Sequence, residues 1–207
     1  MKLQSDSSNP PSVLGSGSVT QTSLSSAALE WCLPDKSVLV SIAPARGREP
    51  LPLALSAMSI GLWHDLQWPV VHFIPDYVRD AKRTFSSREL IQPGDLWFES
   101  ETSSIWSCQK FREFHEDIGS APIVLIGGEI DNSMLSVAIG AAQRNVAVFY
   151  LPETAGIHSP RIRYDDLKNT FVVMMSNFAI ELTMDDLFDS LNRREDIIFA
   201  SDPQMRP

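Results

Sequence analysis

The chain has 207 residues, of which 43% are hydrophobic and 21% are charged, and this predicts a single domain with a well-filled core. Its 17 basic and 26 acidic residues give a formal net charge of −9, which disfavours nucleic acid and anionic membrane surfaces as partners. No apolar run approaches the roughly 20 residues of a membrane span, and no secretion signal opens the chain. The only cysteines are Cys32 and Cys108, which give no disulfide framework. We therefore expect a soluble cytoplasmic protein.

Residues 1–26 differ in composition from the rest of the chain. They hold nine serines and only two charged side chains, Lys2 and Asp6, with too few apolar groups to offset the entropy lost on ordering. This composition predicts a disordered, serine-rich tail. A folded domain is expected at residues 27–200, followed by a short C-terminal tail at residues 201–207.

Apolar runs rich in β-branched residues predict buried strands along the folded part. These runs lie at residues 37–42, 69–74, 96–98, 123–126, 146–151 and 171–175. Apolar residues at helical spacing predict helices at residues 52–67, 106–118 and 135–142. Thr183 and Asp186 resemble a capping box that opens a final helix. Strands that alternate with helices predict an α/β fold with a mostly parallel sheet of about six strands, covered on both faces.

The carboxyl ends of the strands are the places where a ligand would bind in such a sheet. The positions concerned are residues 41–44, 74–76, 99–106, 128–134 and 152–158. Gly127 and Gly128 lack both the lysine of a phosphate-binding loop and the spacing of a dinucleotide-binding loop. They are therefore predicted to permit a tight turn.

The segment around the fourth strand carries a family resemblance. Its sequence is Ile123-Val-Leu-Ile-Gly-Gly-Glu-Ile-Asp-Asn-Ser-Met-Leu135, and it runs on through Ala141-Ala142 to Leu151-Pro-Glu-Thr-Ala155. It resembles the isochorismatase-like hydrolases, a superfamily of isochorismatases, nicotinamidases and N-carbamoylsarcosine amidases. Looser matches in the family's order lie at residues 38–42, 68–72, 93–95, 104–106 and 158–191. The resemblance implies a three-layer α/β/α sandwich.

The resemblance also implies a catalytic triad, which is not evident in this chain. Active members use a cysteine nucleophile, an aspartate as general base and a lysine that supports the charge. The aspartate position holds Ile42, or Ser41 if the alignment shifts by one residue. The lysine position holds Ser100 and the cysteine position holds Met134. These side chains are apolar or uncharged and offer no proton relay, so loss of the activity is expected.

Other residues near the same strand ends are alternative catalytic or binding groups. Ser133 stands beside the nucleophile position and could attack a carbonyl if a base reached it, although a serine at a helix start is more often a cap. Glu129 and Asp131 could act as general acids or bases, although carboxylates in so acidic a chain are more often solvated. Ser41 and Trp106 could line a ligand pocket, and core packing explains Trp106 equally well.

These observations predict an isochorismatase-like protein that is catalytically dead or impaired and acts as a binding or assembly subunit. Its partner would be a second copy of the chain, an active paralogue or a small-molecule ligand. The alternative is a divergent hydrolase of a small amide, ester or vinyl ether that uses Ser133, Glu129 or Asp131. A third hypothesis is a small-molecule sensor that binds without turnover. The four histidines show no ligand spacing, so neither a metal ion nor a cofactor is expected.

Overall fold

The alternating apolar segments of the chain form a sheet flanked by helices. A computed structural model describes residues 33–34, 36–44, 50–78, 91–156, 170–171 and 173–201, with the backbone alone for residues 50–52 and 193–201. Contacts divide the chain into two units, Met1–Trp31 and Cys32–Pro207, and every element described below belongs to the second unit. The predicted tails at residues 1–26 and 201–207 lie outside the described residues, apart from Ser201.

The strands and helices follow the predicted order, with one exception. The strands are β1 (Val38–Ile42), β2 (Val70–Ile74), β3 (Leu96–Glu99), β4 (Ile123–Gly127), β5 (Val148–Tyr150) and β6 (Ile180–Glu181). The helices bounded within the described residues are α1 (Pro50–Asp65), α2 (Gln109–Asp117), α3 (Leu135–Ala142) and α4 (Met184–Ser201). All strand pairs are parallel, in the order β3-β2-β1-β4-β5-β6. The prediction of a largely parallel α/β sheet of six strands is thereby confirmed.

The exception lies at residues 171–175, where the prediction of a sixth strand is wrong. The described residues there are helical, and the strand forms later, at β6. Ser176 Oγ donates to the carbonyl of Val173 (2.8 Å), and Asn177 Nδ2 donates to the same oxygen (3.2 Å). These side chains satisfy carbonyls that a helical turn leaves free at its end, so the polar residues after the apolar run favour the helical conformation.

Helices cover both faces of the sheet. On one face, a buried cluster joins strand residues such as Val40 to Phe111 of α2 and Val137 of α3. On the other face, α1 packs against β1, β2 and β4, and its Ser59 contacts Met184 of α4 through a 3.6 Å hydroxyl–sulfur contact. The result is the expected three-layer sandwich. Among the helices that the structure describes, none is long and apolar enough to cross a membrane.

A buried carboxylate near the amino end of β3 ties three elements together. Asp95 accepts hydrogen bonds from His64 Nε2 at the end of α1 (2.8 Å) and from His72 Nε2 in β2 (3.0 Å). Burial lowers the pKa of His72 below its ordinary value, against the opposing influence of Asp95. Burial alone would raise the pKa of Asp95, but hydrogen bonds from His72, from the Gln92 amide and from His64 lower it. At neutral pH, His72 in this cluster is therefore uncharged and donates a hydrogen bond to an ionised Asp95.

Thr183 and Asp186 form the predicted capping box at the start of α4. The amide and hydroxyl of Thr183 donate to Asp186 Oδ2 (2.9 and 2.7 Å), and the Asp186 amide donates to Thr183 Oγ1 (3.1 Å). The bonds from Thr183 lower the pKa of Asp186. Glu153, in the turn after β5, accepts from the Met184 amide (3.1 Å). Side chains thus satisfy the amides of Met184 and Asp186 at the start of α4, and the bond from Met184 to Glu153 joins this helix to the turn after β5.

Replacing Thr183 with alanine is expected to lower the free energy of unfolding by about 1 kcal/mol, because the hydroxyl that accepts from the Asp186 amide is lost. Thr183→Ser keeps that hydroxyl and is expected to retain most of the stability. Urea denaturation of the two variants and the parent chain, followed by circular dichroism, checks the difference. An alanine variant as stable as the parent would contradict a capping role for Thr183.

Candidate functional site

The carboxyl ends of four neighbouring strands meet at one edge of the sheet. β1 ends there at Ile42, β2 at Ile74, β3 at Glu99 and β4 at Gly127. In open parallel sheets this is the edge at which ligands bind. The segments that follow these four strands therefore define the candidate site.

The turn after β4 shapes the centre of this edge. Gly127 and Gly128 both have positive φ, at 78° and 59°, a conformation that glycine adopts without strain. The Gly128 amide donates to the carbonyl of Ile42 (2.9 Å), and its own carbonyl accepts from the Gly156 amide (2.8 Å). A Cβ atom at position 128 would lie 2.6 Å from both Ile42 Cγ2 and Ser133 Oγ. Gly128 therefore lets the chain pass between these two side chains, as the predicted tight turn requires.

Ser133 lies in a single π-helical turn, Ile130–Met134, that leads from this glycine turn into α3. Its Oγ accepts from the Glu129 amide (3.2 Å) and lies 3.4 Å from the Glu129 carbonyl, to which it can donate. The Ser133 side chain is fully buried. The hydroxyl thus bonds to the preceding backbone of its own turn, which differs from the forward bond of a helix N-cap.

Glu129 is a buried carboxylate held by a tyrosine from the neighbouring segment. Tyr77, in the turn after β2, donates its hydroxyl to Glu129 Oε2 at 2.5 Å, and Glu129 is only 4% exposed. Burial raises the pKa of Tyr77 well above its ordinary value, and the charge of Glu129 and their hydrogen bond raise it further. The phenol therefore stays protonated and acts as a donor. Tyr77 lies one position beyond the segment at residues 74–76, and a hydroxylated aromatic just after a strand end is the signal that could have indicated it.

The polar side chains of Tyr77, Glu129 and Ser133 lie close together. The nearby hydroxyl of Ser133 opposes the rise in the pKa of Tyr77, whereas the charge of half-buried Asp131 adds to it. Tyr77 donates to the Glu129 carboxylate, and Ser133 bonds to the Glu129 backbone. The structure therefore brings Glu129, Asp131 and Ser133 together around Tyr77. Of the sequence-based candidates, these three share one local network.

The positions that the sequence resemblance assigns to the aspartate and the cysteine hold buried apolar side chains. Ile42 is 1% exposed at the end of β1, and Met134 is fully buried at the end of the π turn. Both belong to the main hydrophobic core. Neither side chain can accept a proton, and a buried thioether does not act as an acyl-transfer nucleophile.

The position that the sequence resemblance assigns to the lysine holds a hydroxyl. Ser100 follows β3 and donates to the carbonyl of Ser104 (3.2 Å). Its hydroxyl also forms hydrogen bonds with the side chains of Thr102 (3.3 Å) and Ser107. This group of hydroxyls at the strand end offers uncharged hydrogen-bonding groups in place of an ammonium group.

The two remaining pocket candidates lie away from this network. Ser41 is inside β1, where its Cα pairs with His72 on one side and Ile126 on the other. The Trp106 indole donates to the carbonyl of Val137 (2.8 Å), and its ring occupies the space where a Cβ on Gly140 would lie. These contacts of Trp106 are those of a core residue. Among the described residues, no group of three or more His, Cys, Asp and Glu side chains is arranged to hold a metal ion.

Comparisons with known proteins find likeness in structure alone, since no family model and no curated protein sequence matches the chain. The chain is similar to a protein of the isochorismatase family from Chromobacterium violaceum, with a TM-score of 0.65, 17% identity and coverage of 77% of this chain and 95% of the other. An isochorismatase family protein from Burkholderia thailandensis matches with a TM-score of 0.63 and 15% identity, over 78% of this chain and 98% of the other. The N-carbamoylsarcosine amidase of Thermoplasma acidophilum matches with a TM-score of 0.56 and 17% identity, over 72% of this chain and 96% of the other. The chain therefore has the isochorismatase-like fold, as its sequence motifs predicted.

Gly128→Ala is expected to lower the free energy of unfolding by roughly 2–4 kcal/mol, because left-handed strain and a clash with Ile42 and Ser133 act together. Gly119→Ala is the matched control, since Gly119 has a φ of 76° with open space around the position of its Cβ. Backbone strain alone predicts that Gly119→Ala lowers the free energy of unfolding by a smaller amount, about 1–2 kcal/mol. Urea denaturation compares the two variants, and equal losses would refute the packing argument at Gly128.

Tyr77→Phe is expected to lower the free energy of unfolding by about 1–3 kcal/mol, because a buried carboxylate loses its hydroxyl donor. Tyr150→Phe provides the comparison, since the Tyr150 hydroxyl donates to Glu181 (3.2 Å), whose side chain is exposed and stays hydrated after the change. Thermal and urea denaturation of both variants measure the difference. A cost at Tyr150 as large as at Tyr77 would argue against a special role for the buried pair.

Proposed function

We propose that this chain is a catalytically dead or impaired protein of the isochorismatase-like fold that acts as a binding or assembly subunit. The observation that carries the proposal is the composition of the reactive positions. Where the resemblance places an aspartate, a lysine and a cysteine, the chain has Ile42, Ser100 and Met134. Two of these side chains are packed into the core, and the third belongs to a group of hydroxyls.

The surroundings of Ser133 support the loss of acyl-transfer chemistry. A serine nucleophile needs an open path to the substrate, a base for its proton and free amide donors for the oxyanion. Ser133 is fully buried, and the Glu129 amide already donates to its oxygen. The nearby carboxylate of Glu129 is engaged with Tyr77. Each group that could take part is thus committed to an internal hydrogen bond.

An exposed apolar surface supports the assembly role. Four large apolar side chains that are at least 36% exposed lie in and just before β6. They are Val173, Met174, Phe178 and Ile180. Clusters of exposed apolar side chains on soluble domains mark contact surfaces more often than isolated ones do.

The proposal predicts no product when the purified full-length chain is incubated with small amides, nicotinamide, carbamoyl compounds and isochorismate. An active N-carbamoylsarcosine amidase, run in parallel, shows that the assay detects turnover. The Ser133→Ala variant is the control for contaminating hydrolase. Product formed by the parent chain and lost in Ser133→Ala would overturn the proposal.

The second candidate function is a divergent hydrolase of a small amide, ester or vinyl ether. The proximity of Ser133 to Tyr77, whose hydroxyl donates to Glu129, favours it, because these groups lie in the order that a proton route would need. In an acyl transfer, Ser133 Oγ would bond to the carbonyl carbon while its proton passed to Tyr77 and the phenol proton passed to Glu129. The leaving group would depart with a proton from Glu129, and water would release the acyl group from Ser133.

Two further variants separate this candidate from a contaminant or another site. If the relay operates, Tyr77→Phe and Glu129→Gln abolish product together with Ser133→Ala, since each variant interrupts the same proton route. Product that survives Tyr77→Phe but not Ser133→Ala would show a serine enzyme with a different base. Product that survives all three variants would exclude this set of residues.

A further inference from the structure

We propose that the cluster of His64, His72 and Asp95 is an acid-sensitive latch, which holds the edge strand β3 against β2 and lets β3 open when the cluster takes up a proton. In the sheet that the structure describes, β3 lies at one outer edge and pairs with β2 alone. The inference concerns this edge of the sheet and is independent of the loss of catalysis proposed above.

The Asp95 carboxylate uses both of its oxygens in the latch. Oδ1 accepts from His64 Nε2 (2.8 Å), and Oδ2 accepts from His72 Nε2 (3.0 Å) and from the Gln92 amide (3.0 Å). Asp95 immediately precedes β3, whereas His64 belongs to α1 and His72 to β2. The carboxylate therefore fastens the start of the edge strand to the two elements beside it.

β3 also covers the imidazole that would take up the proton. Trp97 in β3 lies opposite His72 in the strand register, and the two rings stack with their centroids 4.6 Å apart. Trp97 is 42% exposed, whereas His72 is fully buried. Movement of β3 and its indole away from β2 would bring His72 into contact with water, which couples protonation to opening of the edge.

Few titratable groups of the described chain lie around His72. α1 contributes His64, and the segment before β3 contributes Asp95. The other titratable side chains of α1 and β3 are Asp65 and Glu99, and both are exposed. β1, which pairs with the other side of β2, contains no titratable side chain. Among the described residues, burial, Asp95 and His64 therefore govern the protonation of His72.

The lowered pKa of His72 means that acid favours the open edge. Burial lowers this pKa in the closed chain, and Asp95 opposes the lowering without reversing it. His72 therefore takes up a proton on opening at any pH between about 6.5, the ordinary pKa of an exposed histidine, and its own lowered pKa. Within that range, the opening equilibrium constant should rise by up to about tenfold for each pH unit that is lost.

Asp95 acts in the same direction at lower pH. Burial alone would raise the pKa of its carboxyl, but the hydrogen bonds from His72, from the Gln92 amide and from His64 lower it overall. Opening breaks these bonds and lets the carboxyl take up a proton more readily. The two groups of the latch therefore respond to acid one after the other, His72 first.

The test is amide hydrogen exchange of the full-length chain between about pH 7.5 and about pH 5, followed by mass spectrometry and corrected for the intrinsic effect of pH on exchange. Below about pH 6.5, β3 is expected to open up to about tenfold more for each pH unit. β4, in the centre of the sheet, should show no such rise.

Two histidine variants identify the proton acceptor. His72→Gln keeps a side-chain donor but cannot take up the proton, so it should remove the acid-dependent rise in β3 opening. His115→Gln is the matched control and should leave the rise unchanged. Burial lowers the pKa of His115 as well, but its Nε2 bonds to the carbonyl of Ala121 (2.8 Å) and not to a carboxylate.

Asp95→Asn tests the latch at neutral pH. It should raise the opening of β3 roughly tenfold or more, because the histidine donors lose their charged acceptor. Circular dichroism checks that each variant is folded. If His72→Gln does not fold, β3 exchange in Asp95→Asn that matches the parent chain at neutral pH would still overturn the latch.

Three results in the pH series would also overturn the inference. Opening of β3 that stays constant as the pH falls would show that no proton is linked to it. An equal rise in β3 and β4 would show acid unfolding of the whole domain and not release of one edge. A rise that persists in His72→Gln, or disappears in His115→Gln, would assign the proton to another group.

Discussion

The two left-handed glycines at the end of β4 set the geometry on which the carboxyl ends of the neighbouring strands depend. β4 lies between β1 and β5, so the turn that follows it emerges at the centre of the sheet. Ile42 and Ser133 occupy the space that a Cβ at position 128 would need. Only glycine fits at position 128. The direction of the backbone there sets the position of Glu129 and of the π turn that leads into α3.

Once that turn is in place, the polar groups of the edge bond to one another. Tyr77, Glu129 and Ser133 form a short internal network, while Ile42 and Met134 belong to the core. A hydrolase of this fold keeps a nucleophile and a base in an open, reactive arrangement, which costs stability. Here the positions that the sequence resemblance assigns to those groups contribute packing and hydrogen bonds. The fold supplies an edge where chemistry is feasible, and the side chains decide whether any occurs.

The sequence predicts most of the fold, because strands of a parallel sheet are buried on both faces and form continuous apolar runs. β1, β2 and β4 are fully buried and were predicted close to their observed bounds. The run at residues 171–175 has the same composition, yet hydropathy cannot register the capping by Ser176 and Asn177. Tyr77 was missed because its role depends on a contact with Glu129, 52 residues away along the chain.

The strand order also affects how the chain reaches this state. β1 is the third strand across the sheet, next to β2, which follows soon after it, and β4, which begins only at Ile123. Until β4 has been synthesised and has paired, one edge of a buried, mainly apolar strand remains open. Pairing between distant segments is slow, and such unfinished sheets are prone to aggregate. A nascent chain that has not yet reached Ile123 has no partner for that edge, so the yield of folded protein depends on how quickly β4 follows.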